Sequence, residues 1–358
     1  MASRPLYPNN LKNWLFGLAK GCFLSRWGTR VLIVKLAAIG DVAMALAMLP
    51  AIRKKHSSVH ISWLCGAQAA PIVRATGLVD EVLEVDEKRL LTGSFAAKAL
   101  HLLKVWTRLG FRQFDYIYTL HRDPRYRLLT MFSFCKHRKC WKRDSFPRPG
   151  RYHAEENICM LDVQPIDIQF PVLSAKLRDD LLYLFERQPL VAIAPGGAKN
   201  VLADDCLRRW PIESYSRLIR LLNDKGISVV VTGSEGDRWV TSYLPQTGIY
   251  NCIGQLDLMD LLAVLKNCSL LITHDSGPLH LAKLVQCPTV ALFGPTDPFE
   301  RTSCREKIHV IWGGKNLSCR PCYNGKTYRP CKSNICLSEV SSDDVFQMAI
   351  SMIQGNTP

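Results

Sequence analysis

Several short runs bring together residue types that can hold a phosphate or move a proton. In Lys35-Leu-Ala-Ala-Ile-Gly-Asp41, a β-branched run precedes the segment and an apolar helical pattern follows it. Gly40 permits a tight turn, and Asp41 then stands where a helix begins. An aspartate there is a good N-cap and suits the helix dipole. It is also a carboxylate at the carboxyl end of a strand, a suitable place for a general base. The turn by itself leaves both roles open. Ala194-Pro-Gly-Gly197 follows a second apolar run and leads to Arg208-Arg209-Trp210-Pro211. Gly196 and Gly197 let backbone N–H groups approach phosphate oxygens, and Arg208 adds a charge to grip them. A plain turn explains the run as well.

Thr232-Gly-Ser-Glu235 ends another β-rich run, where Glu235 can accept hydrogen bonds from ribose hydroxyls or serve only as a loop acid. The most specific run is Leu270-Leu-Ile-Thr-His-Asp-Ser-Gly-Pro-Leu-His280. Its buried strand ends at Thr273, and Pro278 marks the first turn of a helix. The unpaired N–H groups around Ser276 and Gly277 would bind an anion, with Asp275 and His280 beside them. Capping by Asp275 and a core role for His280 are the plainer alternatives; a glycine made for close approach favours the phosphate site. His121-Arg122 follows the strand expected at 115–120. With Lys35 they are the candidates to contact an anionic second substrate.

Four thiols, Cys319, Cys322, Cys331 and Cys336, fall within 18 positions. Thiolates at this density can hold a structural zinc or iron. A Cys-rich loop without metal is the alternative. The other ten cysteines are scattered singly, mostly in apolar stretches, as buried free thiols are in a reducing compartment.

What must position these groups is an alternation of strands and helices, run through twice. Strands are expected at 31–35, 59–65, 82–85 and 115–120, then again at 190–194, 227–232, 270–273 and 289–293. Helical periodicity marks 212–225, 256–265 and 278–285. This pattern predicts an α/β protein of two Rossmann-like parallel-sheet domains facing across a cleft. The seam is expected near 165–188, around a charged helix. Apart from the Cys-rich segment, the runs named above then follow the carboxyl ends of strands, where such sheets bind ligands.

The charge divides along the same seam. The 358 residues carry a net +15, but residues 1–153 hold 26 Lys+Arg against 9 Asp+Glu. The remaining residues hold 20 against 22. The basic half calls for an anionic partner. Residues 1–30 contain five Lys/Arg and no acid, with Leu11, Trp14, Leu15, Leu18 and Cys22 on one helical face. A helix lying on an anionic membrane surface and a helix packed on the first domain are equal readings. No uncharged apolar run is long enough to span a bilayer.

Taken in order, these runs resemble glycosyltransferase family 9, the ADP-heptose:lipopolysaccharide heptosyltransferase family. The resemblance extends from about Val31 to Val345 and includes the Cys-rich segment with its final helix. It implies a GT-B fold, with the acceptor bound by residues 31–170 and the nucleotide sugar by 171–340, followed by a closing helix at 341–358. It implies Asp41 as catalytic base, and Arg208, where lysine is common, as the holder of the donor diphosphate. Glu235 would meet the ribose, and Asp275, Ser276, Gly277 and His280 the donor sugar and phosphates. The expected reaction moves a heptose with inversion from a nucleotide donor, ADP-heptose, to a hydroxyl of the lipopolysaccharide inner core. It needs no cofactor. The anionic glycolipid fits the basic half, and the expected location is cytoplasmic, on the inner-leaflet surface.

Two other activities share parts of this pattern. Relatives that heptosylate autotransporter adhesins hold a metal with four cysteines, and nucleotide-sugar epimerases share the GT-B architecture without an acceptor. A nucleic-acid binder could use the basic half with its interleaved Trp106, Phe111, Phe114, Tyr126 and Trp141. No nucleic-acid module is recognisable, so nucleic acid is not an expected partner.

Overall fold

The computed structural model describes residues 28–142, 147–165, 168–199, 204–303, 306–325, 327–331 and 333–355. The basic segment proposed as a membrane helix lies almost wholly outside the described residues. Two sheets form, and every strand pair in them is parallel. The first contains β1 (Thr29–Val34), β2 (Val59–Gly66), β3 (Glu81–Val85), β4 (Gln113–Thr119) and β5 (Phe134–Cys140) in the order β3-β2-β1-β4-β5.

The second contains β6 (Leu190–Ala194), β7 (Ser228–Val231), β8 (Ile249–Asn251), β9 (Leu270–His274), β10 (Thr289–Phe293) and β11 (Ile308–Trp312). Their order is β11-β10-β9-β6-β7-β8. Each sheet reverses its winding beside its own first strand, between β1 and β4 and between β6 and β9. That reversal opens a crevice at the carboxyl ends, the usual ligand position. The central strands β6, β9 and β10 are buried along their whole length, as apolar runs covered on both faces must be.

Five helices matter for the site and surface. These are α1 (Ile39–Ala45), α2 (Phe95–Leu109), α3 (Ile212–Asp224), α4 (Gly277–Leu284) and α5 (Ser342–Ile353). In α3, Tyr215, Leu218, Ile219 and Leu222 form the buried stripe that the periodicity predicts. The closing helix α5 packs Val345 and Ala349 into the same core as α3, so it completes the second domain. The charged helix expected at the seam is instead a 3-10 turn, Asp179–Phe185. Its acids Asp179 and Asp180 stand at the turn's start, and Arg178 pairs with Asp180 and Asp260.

The halves are joined by apolar and polar contacts. One core cluster runs from Val42 and Leu46 on α1 to Leu281 and Ala282 on α4. Beside it, the Tyr152 hydroxyl donates to Glu306 Oε1 at 2.6 Å, and the Lys283 ammonium meets both that hydroxyl at 3.0 Å and Glu306 Oε2 at 3.1 Å.

Candidate active site

A cleft of about 1980 Å³ opens between the two sheets. On its first wall, Asp41 lies in the first turn of α1 and leaves capping unfilled: Ala38 is the N-cap and no side chain caps the helix. Asp41 Oδ2 instead accepts a hydrogen bond from Lys35 Nζ at 2.9 Å. Lys35 is 3% exposed and its ammonium sits 5.2 Å from the centre of the Trp141 ring. Burial alone would push the Asp41 carboxyl up, but the charges of Lys35 and Arg301 outweigh it and hold the group well below the usual range. Asp41 is therefore an ionised carboxylate facing the cleft.

On the opposite wall, Gly197 takes a φ of +82°, which favours glycine, and its N–H donates to Asp237 Oδ1 at 2.8 Å. Asp237 Oδ2 accepts from the backbone and hydroxyl of Ser234 at 2.8 and 2.6 Å. One buried carboxylate thus ties the Pro-Gly-Gly loop to the Gly-Ser-Glu loop. At Gly196 a Cβ would fall 2.5 Å from Asp237, so no larger residue fits there. Arg208 bonds Asp205 at 2.5 Å and Asp275 at 3.4 Å. At Gly277 a Cβ would meet nothing within 4 Å, so the start of α4 is open to the cleft.

The two walls meet where α1 crosses α4. A Cβ on Gly40 would lie 2.6 Å from His280 Cδ2, so glycine lets the Asp41 turn approach the Asp275–His280 loop. His280 Nε2 is 3.9 Å from Asp275 Oδ1, and burial lowers the pKa of its ring. Burial would raise Asp275, yet His280, Arg208 and Arg301 together hold it well below the usual range. The arrangement places an ionised carboxylate opposite an anion cradle of cation, helix start and glycine backbone. Chemically it can take a proton from a hydroxyl while stabilising a departing diphosphate.

Three further residues belong to this centre. Arg301 is 8% exposed and lines the cleft, with Nη1 donating to His153 Nδ1 at 2.7 Å. Burial pushes the His153 ring down to about 3, so it accepts as a neutral imidazole. Nothing in the sequence around Arg301 or His153 sets them apart from surface residues. Asp237 was legible, since Ser234-x-x-Asp237 has the spacing of a capping box.

Other expected residues stand elsewhere. His121 stacks on Tyr126 at 3.6 Å, and its Nε2 accepts from the backbone N–H of Leu36 at 3.0 Å. It is a buried prop beneath the Asp41 turn. Lys35 reaches the cleft only through Asp41, whereas Arg122 lines it and donates to Pro147 O at 2.9 Å. Glu235 is exposed next to cleft-lining Ser234, does not itself line the cleft, and pairs with Arg238.

The Cys-rich loop forms cleft wall at Pro321, Tyr323 and Asn324. Its four cysteines lie near one another, but the described geometry does not set them as ligands of one ion. Cys319 and Cys331 are exposed, and buried Cys336 packs against Gly294 and Gly314. Among the described residues no three His, Cys, Asp or Glu side chains are placed to hold an ion.

The family model of glycosyltransferase family 9 (heptosyltransferase) matches residues 103–332. Lipooligosaccharide heptosyltransferase 2 of Haemophilus influenzae is 24% identical over 314 residues, covering 78% of this chain and 88% of that protein. Lipopolysaccharide heptosyltransferase 2 of Escherichia coli is 22% identical over 79% of this chain and 87% of its own length. Among solved structures, a family 9 glycosyl transferase from Veillonella parvula superposes with a TM-score of 0.70 at 20% identity, covering 91% of this chain and 97% of that one. The E. coli ADP-heptose lps heptosyltransferase II gives 0.69 at 19% identity, covering 91% and 99%. These superpositions share the two-domain GT-B arrangement. With the matched region spanning well over half of its length and including three of the four cleft motifs, the chain belongs to glycosyltransferase family 9, the heptosyltransferases, and is a transferase.

Proposed function

We propose that this protein transfers a heptose from ADP-heptose to a hydroxyl of the lipopolysaccharide inner core, with inversion. The observation that carries the reading is the crossing at Gly40, which sets the Asp41 carboxylate against the Asp275–His280 loop. In this scheme the second domain binds the nucleotide sugar. Arg208, Ser276 and Gly277 face the diphosphate, Gly196 and Gly197 admit it, and Glu235, next to cleft-lining Ser234, would turn to the ribose. The first domain binds the acceptor, with Arg122 as its cation on the cleft wall.

The acceptor oxygen attacks the anomeric carbon from the face opposite the diphosphate. The C–O bond forms, the bond to the leaving phosphate breaks, and the hydroxyl proton passes to Asp41. A carboxylate held this acidic is a weak base in the ground state. It becomes competent as the attacking oxygen gains positive character, so proton transfer comes late. The leaving diphosphate is stabilised by Arg208 and the N–H groups at the start of α4. No cofactor takes part. The described cysteines are all free, which suits a cytoplasmic reaction at the inner-leaflet surface.

The test is Asp41→Asn, assayed for transfer to a truncated lipid A–Kdo acceptor and for ADP binding by calorimetry. Transfer should fall by about 10²–10⁴-fold with ADP affinity retained. Near-normal turnover would end the assignment of Asp41.

A further inference from the structure

The outer face of α2 has no partner among the described residues. Ser94 caps the helix, its side chain accepting from Ala97 N–H, and Gly110 ends it with a φ of +54°. Only Val105 and Leu109 are buried against the first sheet. Leu100 and Leu103 point outward, 70% and 53% exposed. Helical spacing puts them on one stripe with Ala96 and Thr107.

The stripe does not end with the helix. Leu103 adjoins Trp106 one turn on, and Trp106 meets the Phe132 ring edge to face at 4.8 Å. The Trp106 indole also donates to Leu128 O at 2.7 Å. Phe132 and its neighbour Met131 are both exposed. Phe111 and Phe134 extend the patch with ring centres 6.4 Å apart. Soluble surfaces rarely gather so many large apolar groups in one place without a partner.

Within the two segments that carry the patch the charge has one sign, with Glu84 and Asp86 lying beside the helix on its cleft side. No Asp or Glu occurs between Lys88 and Phe114, or between Pro124 and Arg143. Lys98, Lys104 and Arg127 form no ion pair with any described residue. Apolar side chains set among unpaired cations suit the boundary of an anionic bilayer, where rings enter the acyl region and cations meet phosphate. The patch also adjoins the cleft: Leu100, Lys104 and Arg108 line its margin.

We infer that the outer face of α2 and the loop through Met131–Phe134 is a docking surface for anionic phospholipid. It holds the first domain against the bilayer with the cleft mouth turned to the membrane. The face is specified by its own residues, whichever sugar the enzyme transfers.

The full chain is floated with unilamellar vesicles of phosphatidylcholine, with and without phosphatidylglycerol. Binding should require the anionic lipid and fall by about tenfold or more in Leu103→Ser/Met131→Ser and in Lys104→Glu/Arg127→Glu. All four positions lie on the surface, so the thermal midpoint checks that each variant folds. Transfer to a deacylated acceptor should persist in Leu103→Ser/Met131→Ser, which separates loss of docking from loss of catalysis. Absence of binding overturns the inference. So does binding that ignores both pairs of substitutions, because the surface then lies elsewhere on the chain. Self-association abolished by the same substitutions, seen by light scattering, would assign the face to a second copy and overturn it equally.

Discussion

At the residue scale, the Asp41–Lys35 pair raises the question of why the proposed base is held so acidic. Lys35 is almost fully buried while Asp41 keeps 38% side-chain exposure toward the cleft, so the lysine acts mainly on the carboxylate rather than on substrate. Its charge keeps Asp41 ionised, and in the proposed reaction it would do so beside an incoming anionic acceptor. Replacing it gives a signed expectation. In Lys35→Met the largest depressing charge is gone while burial still pushes Asp41 up, so the carboxyl rises toward or above its ordinary value. A base is lost by protonation as pH falls. The acid limb of kcat/KM should therefore move to higher pH, by about 1 unit or more. A pH–rate profile of both proteins checks this, and an unmoved limb would mean that Asp41 does not set it. The sequence singled out Asp41 and Asp275 because each stands at a strand end before a helix. It also selected His121 by the same rule, and there the rule misled. A residue one position past a strand can turn inward as easily as outward, and stacking on Tyr126 turned this one inward.

At the element scale, the site depends on how closely α1 approaches α4, and Gly40 sets that distance. Alanine there would gain helix propensity of about 1 kcal/mol. Its Cβ would meet the ring of buried His280 at 2.6 Å, and forcing atoms into a packed contact costs about 1–3 kcal/mol. The two effects partly offset, leaving a net cost of about 0–2 kcal/mol, but the clash is concentrated where the walls meet. Gly40→Ala should therefore leave the thermal midpoint within a few degrees of the parent while transfer drops sharply. Calorimetry and initial rates on one preparation test the split. A large fall in melting temperature with specific activity intact would contradict it. The central strands were legible because they are continuous apolar runs of four to eight residues. Three strands were not. β5 reads Phe-Cys-Lys-His-Arg-Lys-Cys and is mostly exposed at a sheet edge, so it has no apolar signature. β8 has three residues and β11 is only half-buried, and each closes an edge of the second sheet. Edge strands that lack an apolar run, unlike β3, take their structure from a neighbour's hydrogen bonds, which a single sequence does not display.

At the scale of the whole molecule, the division of charge follows the division of the fold, and the cleft is where the unequal halves face each other. The first wall presents Lys88, Arg89, Arg108 and Arg122, whereas the second sets Arg208 and Arg301 against Asp205 and Asp275. Cations already balanced by carboxylates suit one anion in one geometry, the diphosphate in the proposed reaction. A wall with more cations than carboxylates, here Lys88, Arg89, Lys104, Arg108, Arg122 and Arg148 with Asp41, Glu84, Asp86 and Glu87, instead raises the concentration of any polyanion near it, an effect that weakens with salt. The two walls should therefore separate experimentally. Replacing Arg89 and Arg108 with glutamine removes positive charge from the first wall without touching the crossing at Gly40. The KM for a deacylated anionic acceptor should rise several-fold, and its dependence on ionic strength should flatten. ADP affinity by calorimetry should stay unchanged, because the cations near the donor loops come from the other half. Equal loss of acceptor and ADP binding would show that the basic excess serves the cleft as one field rather than the acceptor wall alone.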